Sequence, residues 1–377
     1  MSENSPTIFT FPSIPVDSLG FDNVNGDLIV SSNQVIENPN GQKYQIITKL
    51  GAGQFGQVFH VVDISNPEET PPPSFAMKIT KSHPRYRQQA NREVQFLNHV
   101  QTKTTESEQA HISKLVDSFV YHNHVCIIIE MLSFNLYEVI VKRNHRGLPL
   151  FLIQNVVRDL LEVLCGLKRI GIIHSDIKPE NILLADGFSP SVKMIDFGSS
   201  RFNNQPCSFY IQSRYYRAPE VVLNIPHSFS IDIWSLGCVA FELFTAVPLF
   251  AGQNEIHLLQ IIVEFMGQFP SNIVNSSPRR QELFLPDGKL KSEEQICQEK
   301  GTQVVKFRRY FEYPTIDAII LNYSLGKGNT SEEQRKERRR RLLLIDFLKG
   351  MLNLDQDLRL TPEQALQHPF VTEDFTQ

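Results

Sequence analysis

The chain reads as an α+β fold in two lobes, a small β-rich lobe followed by a larger helical one. Three observations predict this. Up to Leu132 the apolar residues alternate or fall in short β-branched runs, and beyond it they recur at helical spacing. The two loops that pair candidate carboxylate, amide and ammonium groups lie past that change, at residues 174–181 and at Asp196-Phe197-Gly198. The length of 377 residues suits one large two-lobed domain or two ordinary ones. Strands first, helices second and the chemistry between them imply a cleft.

Composition narrows the class. Hydrophobic residues make up 41% and charged residues 21%, so a large core can form. The formal charge of −4 gives no case for nucleic acid or a membrane surface as partner. Five cysteines, an odd number without pairing or metal-ligand spacing, suit a reducing compartment. The N-terminus lacks a cationic flank followed by an apolar stretch, and no apolar run reaches transmembrane length. The expectation is a soluble monomer, cytoplasmic and/or nuclear and not secreted.

The elements follow in order. Residues 1–20 are Ser/Pro-rich and are expected to lack fixed structure. A strand-like run, Asp27-Leu28-Ile29-Val30, closes the next stretch. Strands are expected at 44–47 and 58–62, with a glycine-rich turn between them. Residues 66–74, with three consecutive prolines, form a hairpin loop before a strand at 75–79. A helix over 88–100 and a buried β-branched strand over 125–130 complete the first lobe. Ile153, Val156, Val157, Leu160, Leu161, Leu164 and Leu167 then mark an amphipathic helix. Residues 231–244 are apolar nearly all round, which predicts a central buried helix. Residues 269–327 read as irregular, and helices are expected at 342–352 and from 362. The division is an extension over 1–43, a first lobe with hinge over 44–132, a second lobe over 133–371 with an insert at about 253–330, and a tail over 372–377.

The motifs carry chemistry. Gly51-Ala52-Gly53-Gln54-Phe55-Gly56-Gln57-Val58 fits G-x-G-x-x-G-x-V. Dinucleotide folds use the same glycines to open a helix, but here a β-branched strand follows. A hairpin whose amides cover phosphates is the favoured reading, and a plain glycine turn is the other. Lys78 ends Phe75-Ala76-Met77-Lys78, where an ammonium can reach phosphate, and Glu93 in the next helix can pair with it. Either could instead be a solvated surface charge. In His174-Ser175-Asp176-Ile177-Lys178-Pro179-Glu180-Asn181, Asp176 suits a base that orients a hydroxyl. Lys178 suits neutralisation of phosphate, while Asn181 and Asp196 suit Mg²⁺. His174 reads as a packing residue beneath the loop. Glu220, in Ala218-Pro219-Glu220, is expected to pair with Arg359, and Asp232 on its apolar helix needs a buried donor. Residues 335–341 hold six basic side chains, which suit a nuclear address, a docking patch or a solvated helix start.

With these motifs placed, the chain resembles eukaryotic protein kinases of the CMGC group over about 44–371. Tyr210-Ile211-Gln212-Ser213-Arg214-Tyr215-Tyr216-Arg217-Ala218-Pro219-Glu220 and Asp196-Phe197-Gly198-Ser199-Ser200 resemble the dual-specificity tyrosine-phosphorylation-regulated kinases (DYRK). Residues 21–30 resemble that family's pre-kinase segment, and residues 338–370 look most like its Yak-type branch. The resemblance implies a two-lobed kinase fold with ATP and Mg²⁺ in the cleft. Gly51, Ala52, Gly53, Gln54, Phe55, Gly56, Val58, Ala76, Lys78, Ile129, Glu130, Met131 and Leu132 would border ATP. It implies transfer to Ser/Thr of protein substrates, Pro-directed with upstream Arg held by Glu138 and Glu180. It also implies self-modification at Tyr210, with Arg214 and Arg217 as phosphate partners, and a structural role for Phe197.

Three departures stand out. Ser175 replaces a usual Cys, and the Arg of the common H-R-D is absent; Ser208 replaces a frequent Tyr; Ile129 replaces a frequent Phe, implying a roomier pocket beside adenine. Two rival readings are a catalytically silent kinase fold and a small-molecule kinase. The presence of Lys78, Asp176, Asn181 and Asp196 argues against the first. The segment after Tyr210 argues against the second.

Overall fold

Strand-forming residues of the first third pair into one antiparallel sheet. The computed structural model describes residues 6–17, 19–207, 210–301, 304, 310–324 and 330–375. It divides into two units. The first comprises Met1–Thr104, Ile112–Ser133 and Asp196–Gly198; the second comprises Thr105–His111, Phe134–Ile195 and Ser199–Gln377.

In the first unit the strands are β1 (Val35–Glu37), β2 (Lys43–Gly53), β3 (Gly56–Asp63), β4 (Ser74–Thr80), β5 (Leu115–Tyr121) and β6 (His124–Glu130), in the order β1-β2-β3-β4-β6-β5. β2 and β3 run on through the glycine-rich motif, pairing Gly51 with Val58 and Gly53 with Gly56. Only Gln54 and Phe55 are left as the turn. Helix α1 (Pro84–Lys103) starts earlier than its apolar pattern suggests, because Pro84 stands in its first turn, where a missing N–H is no loss. Its Ala90 packs on Val125 and Ile127. β1 and β5 escape the sequence pattern: β1 is only three residues long, and β5 is largely half-exposed.

The expectation that residues 1–20 lack fixed structure fails for residues 7–17. Phe9 N donates to Val30 O at 2.8 Å, and Thr10 is fully buried. The reason lies further on: Leu28 and Val30 enter the core with Ile36, Tyr44, Ile46, Phe59, Val61 and Met77. Residues 27–30 form no regular strand, only a bridge from Asp22 to Leu28 beside the one from Ile8 to Ser31.

The second unit contains α2 (Glu106–Ala110), α3 (Leu136–Lys142), α4 (Leu150–Arg169), α5 (Pro219–Val222), α6 (Ser230–Thr245) and α7 (Glu255–Met266). α4 buries one stripe, whereas α6 is buried along its whole length from Ile231 to Thr245. Two short β pairs hold the loops: β7 (Ile172–Ile173) with β10 (Arg201–Phe202), and β8 (Ile182–Leu184) with β9 (Val192–Met194).

Residues 269–327 are less irregular than expected. Helices occupy Ser271–Ser276, Arg280–Leu283, Glu293–Lys300 and Ile316–Asn322. They are too short for a periodic pattern to show. The helix expected from 342 begins at Ser331, with a capping box between Thr330 and Glu333. The basic run therefore lies inside a helix. Arg341 is buried, with Nη1 donating to the carbonyls of Ile320, Leu321 and Tyr323. It closes the end of the Ile316–Asn322 helix and is not a solvated charge.

Candidate active site

In the first unit, Lys78 on β4 and Glu93 on α1 meet because the helix lies against the strands. Lys78 Nζ donates to Glu93 Oε1 at 2.9 Å and Oε2 at 2.7 Å, and stands 3.4 Å from Asp196 Oδ1. Burial alone favours the neutral amine, but the carboxylates of Asp196 and Glu93 outweigh it and hold Lys78 above its ordinary range. Lys78 is thus a fixed cation. Asp196 adopts a left-handed backbone, φ 62°, and its Oδ1 also accepts from Gly198 N at 3.3 Å. Such a conformation in a non-glycine residue is uncommon and is held by its surroundings. Phe197 beside it is fully buried.

The glycines of the β2–β3 hairpin differ in what they need. A Cβ on Gly56 would stand 2.2 Å from Ile79 O, so the fold itself demands glycine there. Gly51 and Gly53 have no such reason, since a Cβ at either would meet nothing within 4 Å. Ala52 and Gln54 are exposed, and Phe55 and Val58 half-buried. Ala76 pairs with Ile129 across β4 and β6. Glu130 folds back so that its Oε1 accepts from Lys114 N at 2.7 Å. Met131 is half-buried, and Leu132 is buried.

In the second unit the loop after β7 is tied down from below. Asp232 on α6 accepts from His174 N at 2.7 Å and Ser175 N at 2.9 Å. Burial pushes its carboxyl up, while His174 and the two amides pull it back. Ser175 itself is left-handed, φ 66°. His174 accepts at Nδ1 from Asp176 N, 3.3 Å, which leaves Nε2 to donate to Ile195 O, 3.1 Å.

Asp176 is fixed by four donors. Lys178 Nζ lies 2.6 Å and Asn181 Nδ2 3.2 Å from Oδ2, while Ser213 N and Oγ lie 3.0 and 2.7 Å from Oδ1. Asn181 Nδ2 also donates to the Asp176 carbonyl at 2.9 Å. Among the described residues no donor reaches its amide oxygen. Ser213 was not legible as a site residue. It stands 37 residues from Asp176, and a loop serine carries no spacing signal.

Tyr210 is 85% exposed, with its ring centroid 5.3 Å from the Arg217 guanidinium. Arg217 is already held by the carbonyls of Ile211 and Gln212 and by Glu255, and Arg214 Nη1 donates to Gln253 O. Ser208 lies outside the described residues. Glu220 and Arg359 form a buried two-pronged pair at 2.6 and 3.0 Å. Glu180 is exposed. Glu138 has a structural task that its sequence position hid: its Oε2 accepts from Asn135 N at 2.9 Å and caps α3.

Among the described residues no three His, Cys, Asp or Glu side chains gather as a metal cage, and no helix is long and apolar enough to cross a membrane.

Comparison with known proteins gives the same direction. The protein kinase domain family matches residues 44–371. The chain is 39% identical to the probable serine/threonine-protein kinase yakA of Dictyostelium discoideum, over 98% of this chain and 27% of that protein. It is 37% identical to the dual specificity protein kinase YAK1 of Saccharomyces cerevisiae, over 100% of this chain and 48% of that protein. It is 35% identical to the human dual specificity tyrosine-phosphorylation-regulated kinase 4, over 87% of this chain and 57% of that protein. The chain thus spans well under two thirds of these relatives. It belongs to the protein kinase family and, within it, to the dual-specificity tyrosine-phosphorylation-regulated kinases on their Yak-type branch.

Proposed function

We propose that the chain transfers the terminal phosphoryl group of ATP to Ser/Thr hydroxyls of protein substrates and to its own Tyr210. The observation that carries this reading is the Asp176 carboxylate, fixed by Lys178, Asn181 and Ser213. These donors already fill the carboxylate's roughly four lone-pair positions, so an incoming hydroxyl takes the place of one of them. Its role is to orient that hydroxyl and receive its proton. Lys178 neutralises charge developing on the transferred group. Lys78, held charged by Glu93 and Asp196, suits the phosphates of ATP. The open space above Gly51 and Gly53 leaves room for phosphates against the backbone.

The residues present also fit Mg²⁺, which binds hard oxygen donors and keeps few protein ligands. Asp196 offers a carboxylate, and Asn181 offers its amide oxygen because its nitrogen is engaged. The ion supplies neutralisation of phosphate charge. The chain's own groups do the orienting.

For substrate choice we assign Glu180, exposed beside the Asp176 loop, to an Arg upstream of the target in Pro-directed sites. Glu138 shares its carboxylate with a helix cap, so Glu180 is the cleaner test.

The test uses the recombinant chain with Mg-ATP and a peptide library. Asp176→Asn should abolish transfer while nucleotide still binds, and Asp196→Asn should remove Mg²⁺-dependent turnover. Glu180→Lys should erase any preference for upstream Arg. Near-normal transfer by either Asp variant overturns the role assignment.

A further inference from the structure

The seventh position of the glycine-rich motif, Gln57, has no task in the reading above, yet it is 3% exposed. Its side chain points away from solvent into a polar seam. Gln57 Nε2 donates to Leu28 O at 3.0 Å. Its Oε1 accepts from Lys49 Nζ at 2.8 Å and lies 3.0 Å from Thr10 Oγ1. Thr10 Oγ1 also lies 2.9 Å from Leu28 O and accepts from Val30 N at 3.1 Å. Lys49 Nζ reaches on to Phe9 O at 3.1 Å.

Lys49 is notable for what it lacks. Burial pulls its ammonium down, only partly offset by the charge of Asp27, and among the described residues its hydrogen-bond partners are neutral oxygens. A half-buried cation held by neutral acceptors adds little to stability. It does join β2, β3 and the N-terminal segment at one point.

A second grip lies at the turn of the hairpin. Lys81 Nζ donates to Asp27 Oδ2 at 3.0 Å and to Asn25 O at 3.1 Å. The backbone N–H of the same residue donates to Phe55 O, in the hairpin turn, at 3.0 Å. Ser82 N donates to Gly26 O at 3.0 Å, and Ser82 Oγ donates to Asp22. Asp22 is fixed in turn by His124 Nε2 at 2.8 Å. The segment therefore holds the strands of the hairpin through Lys49 and Gln57, and the residue that holds its turn through Asn25 and Asp27.

We infer that residues 7–27 are a strap that sets the position of the glycine-rich hairpin, with Gln57 and Thr10 as positioning residues for the nucleotide. The tip of the hairpin has little packing of its own, since Gly51, Ala52, Gly53 and Gln54 are all exposed. A two-stranded tip gains order mainly from what clamps its base. The nucleotide half of the inference rests on the proposed phosphate role of the hairpin; the mechanical half does not.

The experiment uses the full chain, wild type and Thr10→Val, Thr10→Ser and Gln57→Met. Amide hydrogen exchange of residues 51–56 should speed up about tenfold in Thr10→Val and Gln57→Met and stay near wild type in Thr10→Ser. KM for ATP should rise about fivefold in the same two variants with kcat nearly unchanged. Unchanged exchange in a folded Thr10→Val overturns the strap. Faster exchange with unmoved KM keeps the strap and overturns the phosphate role of the hairpin. Should the variants not fold, wild type in a urea series decides: residues 7–27 and 51–56 should lose protection at one midpoint, and separate midpoints overturn the inference.

Discussion

Ser213 donates its hydroxyl to Asp176 Oδ1 at 2.7 Å, and Ser213 Oγ in turn accepts from Lys178 Nζ at 3.1 Å. One serine thereby links the carboxylate and the ammonium of residues 174–181 to the segment that carries Tyr210. Removing its hydroxyl loosens Asp176, which keeps only Lys178, Asn181 and the Ser213 backbone N–H. Ser213→Ala should lower kcat by roughly ten- to a hundredfold, the scale of a small misplacement at a reacting centre. KM for ATP should change little, and Ser213→Thr should restore most of the rate. Steady-state kinetics of the three proteins check this. An unchanged kcat in Ser213→Ala would show that Asp176 needs no such support.

Glu220 and Arg359 are both nearly inaccessible, with side chains 3% and 0% exposed. Arg359 also lies 5.1 Å from the Trp234 ring centroid and donates to Asn353 O. Deleting one charge strands the other in the core. Glu220→Ala should cost about 3–5 kcal/mol, measured by urea unfolding. The double variant Glu220→Met/Arg359→Leu should recover part of that loss, since no unpaired charge remains.

Glu242 on α6 is buried, and its Oε2 accepts from Tyr216 Oη at 2.7 Å. Burial lifts its carboxyl to about 7, Tyr216 opposes the shift, and the charge of Glu180 adds to it. The folded state therefore holds this proton more tightly than the unfolded chain, whose value is 4.5. The stability from this group is fully present below pH 4.5 and is lost as pH rises through 7. The loss amounts to about 3 kcal/mol. Glu242→Gln should flatten that part of the profile. Unfolding midpoints at pH 5 and pH 8 for both proteins measure it, and an equal pH dependence would contradict the assignment.

Tyr210 is exposed, and its ring already stands against Arg217. A phosphate there would find a guanidinium close by and form charge-assisted bonds. Protein made in bacteria should carry phosphate on Tyr210, whereas Asp176→Asn should not. Intact-mass and peptide mass spectrometry decide the point. Tyr210→Phe should fold and lose part of its activity toward other proteins. Phosphate on Tyr210 in the Asp176→Asn protein would refute self-modification.

Much of the site was legible because its parts are short strings. Residues 174–181, Asp196-Phe197-Gly198 and Ala218-Pro219-Glu220 need only a few neighbours to be read. The run from Ile231 to Thr245 announced a buried helix because nearly every position is apolar. The same local reading failed where order comes from distant partners. Thr10 looks like part of a polar tail until Leu28, Val30 and Gln57 close around it. Arg341 looks like one more charge in a basic run until three carbonyls converge on it.

The sequence alone determined the family and the strand-then-helix order and pointed to the candidate reacting groups, because each depends on residue type at short spacing. The tertiary structure decided which charges are fixed and by whom. Ser213 on Asp176, Tyr216 on Glu242, the helix cap taken by Glu138 and the strap on Gln57 all join residues distant in sequence or bend a side chain back on its own backbone. Such hydrogen bonds are set by the path of the folded chain, and no periodicity of one segment records the position of another.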